Sequence, residues 1–451
     1  MDANPQRLSL LPMWQVLLSL ALTVFSPGQA QGYSLRKGEG GVLLHWRSDR
    51  VEVHVDTSAL AGLSGPLVLD HVRAAFVTWS SNGVPTQSTF KQSKGQGAAA
   101  KDGRNMVHWV TSGWQHGKEA VAINITWYRA STGEVLESDI QANAQDYRWG
   151  VSPAKGSGQF DVQNIMAHEA GHFWGVGHSL LPNATMLEVS RPEQLSKRTL
   201  DQDDRDGIAA LVTALNMAAP GTTQLAADQA VSSGQGCSAA GDTREGGIAL
   251  LVLICLLLMA RHRREVMVLL PAATLLWSST SAASDPVQPA ATRLAASAPL
   301  VFQGVVTATK SHFQRGLIVT DHTVSVRRCF KGPCPTTRTL RTLGGVVGDL
   351  GMHVAGEARP RPGQELVLFG RLSQGVVRTL GQAAGVYQVT RDGGVVPGAN
   401  TASETPPPAS PVRLEQLVHQ IKRGAPGSTA PTQERKTEGT NRQSPEVANT
   451  P

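Results

Sequence analysis

Cysteine is scarce in this 451-residue chain: there are four, and none lies between residues 31 and 236. That stretch has to fold without a disulfide. Aromatic side chains are also few, 5% of residues against 41% apolar residues in all. This composition suits soluble globular parts and argues against a large aromatic core. Charge of one sign is nowhere concentrated. The net charge is +6, but the basic residues are scattered apart from Arg261-His262-Arg263-Arg264 and Arg327-Arg328. A scattered positive charge argues against a nucleic-acid partner. No internal repeat is visible.

Long apolar runs are few, and their positions carry information. The opening MDANPQRLSLLPMWQVLLSLALTVFSPGQAQG sets Arg7 before an apolar run from Leu8 to Phe25 and a Gly28-Gln29-Ala30 cleavage site. Residues 1–30 thus read as a secretory signal peptide, which predicts that the chain beyond Ala30 is exported. In an oxidising compartment Cys329 and Cys334, in CFKGPC, are close enough to form a small disulfide loop.

Residues 31–217 read as one domain. RVEVHVD, NMVHWV and AVAINITWYR are strand-like, and STGEVLESDIQAN runs from a turn into another strand. PLVLDHVRAAFVTWS has helical apolar spacing, and FDVQNIMAHEAGHFWGVGH reads as a helix that stops at Gly175. TLDQDDRDGIAALVTALNM is a further helix, capped by Thr199 or a nearby aspartate. Together these predict an α/β (α+β) fold with a mixed sheet. A small-residue linker follows (218–245), then one or two transmembrane segments within 246–278 around the basic loop 261–264. A second linker (279–298) leads to a small all-β domain at 299–391, OB-like or a sandwich, and a disordered tail at 392–451.

The chemistry is concentrated in HEAGHFWGVGH, residues 168–178. His168 and His172, at i and i+4, project from one helix face and can reach one metal ion. His178 would lie too far round the helix if it continued. Gly175, and then Gly177, can take the backbone angles that end the helix and bring the third imidazole back. Three imidazoles with an open fourth position suit a catalytic zinc. Glu169, beside the first of them, can accept a proton from water activated by the metal.

HExxHxxGxxH resembles the signature of the metzincin zinc peptidases. Ser179 after the third histidine, and Asp203, Asp204, Asp206, Gly207 and Ile208 in the later helix, resemble the matrixin branch. The resemblance implies zinc ligation by His168, His172 and His178, Glu169 as base, and Met186 as a floor beneath the metal. It also implies that ITWY or a neighbouring segment offers an edge strand to an extended peptide substrate. The loop from Leu187 to Ser196 would form part of a substrate pocket. No cysteine precedes the helix, so the thiol latch of animal zymogens is absent. The ligands of a second, structural zinc are not recognisable; His108 and His116 read as exposed loop histidines. Calcium is a further candidate ion, around Asp139 or Asp146.

The run from Gly234 to Arg264 is similar to the C-terminal sorting tails of secreted myxobacterial proteins, although here the chain continues. Two readings of 246–278 stay open: a membrane hairpin, or a processed junction between two exported proteins. The function implied is an exported zinc endopeptidase acting on proteins or peptides, with the membrane as a second partner. The alternative is an inactive metzincin fold serving in surface binding or adhesion.

Overall fold

A computed structural model describes residues 32–94, 99–218, 287–398 and 412–424. The signal-peptide and membrane-segment readings (1–30 and 246–278) lie outside these residues. Among the described residues no helix is long and apolar enough to cross a membrane.

Five strands form the first sheet: β1 (Arg50–Asp56), β2 (Gln87–Ser93), β3 (Asn105–Val110), β4 (Ala122–Arg129) and β5 (Val135–Asn143). Their order is β4-β5-β3-β1-β2, parallel throughout except for β4. In β1 the alternation is direct: Val51, Val53 and Val55 are buried between more exposed neighbours. Helix α1 (Gly65–Ser80) starts on Pro66 and turns Val68, Val72, Phe76 and Trp79 to the core. Two short strands, β6 (Arg148–Gly150) and β7 (Gln159–Asp161), pair in parallel just ahead of helix α2 (Val162–Trp174). Asp161 caps α2 by accepting the Asn164 N–H at 2.8 Å. Helix α3 (Gln202–Ala218) closes this part of the chain, and Asp201 just ahead of it accepts the Asp203 N–H.

The scarcity of aromatics is unevenly distributed. Phe76, Trp79, Trp109, Phe173 and Trp174 are all buried in the first core. Phe76 meets Phe173 and Trp174 edge-on. The expectation of a core poor in aromatics therefore fails locally, because the few that exist are gathered in one place.

The later residues form β8 (Leu300–Gln314), β9 (Leu317–Lys331), β10 (Thr337–Leu343), β11 (Gly345–Val347), β12 (Leu350–Val354), β13 (Glu365–Ser373) and β14 (Val376–Thr379). The ring β8-β9-β10-β14-β13 closes on itself through β13–β8 pairing, and its β10–β14 contact is parallel. Two strands extend it beyond β13, β15 (Val386–Val389) and β16 (Gly394–Pro397), and β17 (Val412–Arg413) pairs with β16. Cys329 and Cys334 form a disulfide at the end of β9.

Three boundaries differ from expectation. Helix α4 (Val287–Ser297) occupies the stretch read as a linker, and β16, β17 and helix α5 (Leu414–Gly424) occupy part of the supposed tail. Ala291, Ala295, Leu417 and Ile421 pack these helices onto Val367 and Phe369 of the barrel. Alanine-rich α4 is short and sits within a stretch of small residues, and α5 is short and set among prolines. The third difference concerns β11 and β12, which leave the barrel and join the first sheet. β12 pairs antiparallel with β4, from Leu350 opposite Arg129 to Val354 opposite Ile125. The first sheet thereby has seven strands, in the order β11-β12-β4-β5-β3-β1-β2.

Candidate active site

Helix α2 carries His168, Glu169 and His172 on its buried length, and its end is decided by Gly175. Gly175 has φ +99°, and its N–H and that of Val176 close back on His172 O and Gly171 O at 3.0 and 2.9 Å. This is the paired 5→2 and 6→1 arrangement that ends a helix on a left-handed residue. A side chain is excluded there twice over: a Cβ would also lie 2.5 Å from Leu44 O. Gly177, expected as a second turning point, is not in the left-handed region. The chain then delivers His178 beside His172, with 3.1 Å between their Nε2 atoms.

Ligand atoms of His168, His172 and His178 lie within 4.8 Å of one another, and among the described residues this is the one cluster that could hold a metal ion. Hydrogen bonds fix the tautomers of His168 and His172. His168 Nδ1 donates to Thr185 O at 2.8 Å, and His172 Nδ1 donates to Val176 O at 2.9 Å. Each Nε2 is then a lone-pair donor, the form required for a metal ligand. Burial, followed by the nearby Lys197 and His178, holds His168 well below the usual imidazole range, so it stays neutral. These residues fit a zinc ion.

Glu169 lines the same cavity of about 580 Å³ as the three histidines, and its Oε2 is buried without a hydrogen-bond partner. Burial pushes its carboxyl up to about 8, opposed by the charges of Lys197 and Arg36. Lys197 is itself lowered to about 8 by burial; it donates to Leu187 O and lies 3.4 Å from His168 Nδ1. Met186 is fully buried behind Gly171 of α2. Its loop is held by Asp204, whose carboxylate accepts the N–H groups of Thr185 and Met186 at 2.7 and 3.0 Å. Asp203 accepts from Ser179 Oγ at 2.6 Å and from the Gly32 N–H at 2.8 Å. Of the loop from Leu187 to Ser196, residues Glu188, Val189 and Ser190 line the cavity.

Other candidates do not join this site. His108 lies buried on β3, and half-buried His116 meets Gln141 Oε1 at 3.0 Å. Burial lowers both to about 4; His108 is a strand residue rather than an exposed loop one, and His116 is in a loop but half-buried. Asp139 accepts the Met106 N–H, and Asp146 accepts from Asn143, so both carboxylates are engaged by protein donors. Sequence reasoning missed Arg36, Lys197 and Gly171. Gly171 left a signal, because a mid-helix glycine is costly unless something packs against it. Arg36 left none: its buried guanidinium binds Asn124, Thr126 and the His172 carbonyl, partners distant in sequence.

No curated protein matches the chain. Residues 45–213 match the family model of the matrixins, consistent with a matrixin-like metzincin catalytic domain in this part of the chain.

Proposed function

We propose that the chain is an exported zinc-dependent endopeptidase that hydrolyses peptide bonds in proteins or peptides. The observation that carries this reading is the convergence of three imidazoles, two of them with Nδ1 held by backbone carbonyls, on one point beside a partnerless buried carboxylate oxygen. His168, His172 and His178 would hold the zinc. When bound, the ion supplies Lewis acidity and brings the pKa of water into the neutral range. Glu169 takes the proton of the attacking water and returns it to the leaving amine. An extended substrate would lie along β4 as an added strand, in the position that β12 occupies in this structure. Met186 shapes the floor through packing alone. Retention of all three histidines and Glu169 speaks against an inactive binding fold.

The five-stranded ring, with its parallel β10–β14 closure, supports an OB-like reading of the second unit. The disulfide at Cys329–Cys334 supports an oxidising compartment. Pairing of β12 with β4 supports a reading in which both units share one side of any membrane.

The test is metal content and hydrolysis together. Protein prepared with zinc should retain one ion, and Glu169→Ala should keep it while hydrolysis of an unstructured peptide falls by ~10²–10⁴. Zinc-loaded Glu169→Ala with undiminished turnover removes Glu169 from this role.

A further inference from the structure

The segment expected to accept substrate, Ile125–Tyr128 of β4, is already paired. Its partner is residues 351–354 of the same chain. The pairing runs on toward the histidines, where the Ala355 N–H donates to Asn124 O at 3.0 Å. The next residue, Gly356, lines the histidine cavity, and a Cβ there would lie 3.9 Å from His178 Cε1. From these contacts we infer that the β11–β12 hairpin and its barrel are a built-in inhibitor of the peptidase, occupying the strand position that an extended substrate needs. The inference rests on the peptidase reading and names the regulation of that same site.

The segment is placed as an inhibitor rather than as a substrate. A substrate would have to stay extended past the metal site. Here the chain turns instead: Gly356 has φ +73°, and the Glu357 N–H donates back to Val354 O at 3.3 Å. The Gly356 carbonyl accepts the Ala383 N–H at 2.9 Å, so it is engaged by the barrel.

Docking is secured by more than backbone pairing. Arg36 donates to His353 Nδ1 at 2.6 Å, joining β12 to the guanidinium that also binds the His172 carbonyl. Asp349 accepts the Ser131 N–H at 2.8 Å, and Arg359 donates to Lys37 O at 2.8 Å. Gly351 lies flat against Tyr128, where any Cβ would overlap the ring. Met352 and Val354 share a buried cluster with Ile125 and Trp127. The remaining cavity, bounded by Ile165 and Glu188–Ser190, is open to small ligands but has no free edge for an extended chain.

The experiment uses the full zinc-loaded chain, as wild type, Gly351→Leu and Ala355→Pro. The first variant forces the hairpin off Tyr128; the second removes the N–H that reaches Asn124. Both changes lie outside the barrel ring, and amide exchange of β13 reports whether the barrel is still folded. Expected are slow exchange of the β4 amides in wild type, faster exchange in both variants, and at least a tenfold gain in hydrolysis of an extended peptide library. Wild type that cleaves as fast as variants with opened β4, or β4 amides that exchange freely in wild type, overturns the inhibitor. If β4 opens and no form cleaves peptide, the peptidase reading falls and takes inhibition with it.

Discussion

Gly171 and Met186 touch at the one position on the active-site helix where no Cβ intervenes: a methyl group on Gly171 would overlap the methionine sulfur and the ring of Trp79. The floor beneath the histidines therefore depends on a residue with no side chain. Gly171→Ala gains helix propensity but overpacks this contact, and we expect a net loss of roughly 1–3 kcal/mol. Zinc should also bind more weakly, since His168 and His172 flank the disturbed turn. Denaturant unfolding with a competitive zinc titration checks both, and unchanged values would show that the contact relaxes freely.

Gly175 makes a separate demand, on backbone conformation. Valine there meets a positive φ that β-branched residues resist and a carbonyl, Leu44 O, already 2.5 Å from the Cβ position. Gly175→Val should weaken zinc binding with every ligand still present, because His178 loses its approach. Wild-type zinc affinity in a folded Gly175→Val protein would contradict this.

Asp204 concentrates three backbone donors, from Thr185, Met186 and Asp201. Asp204→Ala leaves the buried Thr185 and Met186 N–H groups without an acceptor, each costing about 1–3 kcal/mol. The Met186 loop should lose its amide protection before the rest of the domain unfolds. Hydrogen exchange that leaves this loop as protected as in wild type would disprove the assignment.

Asp139 gives a pH prediction. Burial pushes its carboxyl from 3.8 to about 8, against the pull of the Met106 N–H. Between these values the folded chain holds a proton that the unfolded chain has released, so stability falls as pH rises. The buried His108, His116 and His322 are lowered from 6.5 to about 4 and have the opposite slope, confined to below about pH 6.5. Asp139→Asn should therefore flatten the decline between about pH 6.5 and 8. Unfolding curves of the two proteins that stay parallel across this window would refute it.

The helix geometry of His168 and His172, the stop at Gly175 and the alternation of β1 are legible because each is encoded within a few residues. The contact between β4 and β12 is not, since it joins positions more than 200 residues apart and strand periodicity says nothing about which strand is the partner. His108 misleads for a related reason. It lies in the strand-like NMVHWV, but its burial depends on elements distant in sequence that cover that strand. Aromatic content misleads in the same way, because a chain-wide average hides how Phe76, Trp79, Phe173 and Trp174 converge.

A sheet edge that accepts chains by backbone pairing discriminates little between a substrate and another copy of itself. In the docked chain β4 is no longer that edge. The sheet ends instead at β11, three residues long, and at the other side at β2, which bears Lys91. Short and lysine-bearing edges are poor templates for further pairing. The hairpin thus protects the protein from self-association as well as from premature contact with other chains. Displacing it exposes an interior strand of the present sheet, so a molecule released for work also becomes a molecule prone to polymerise.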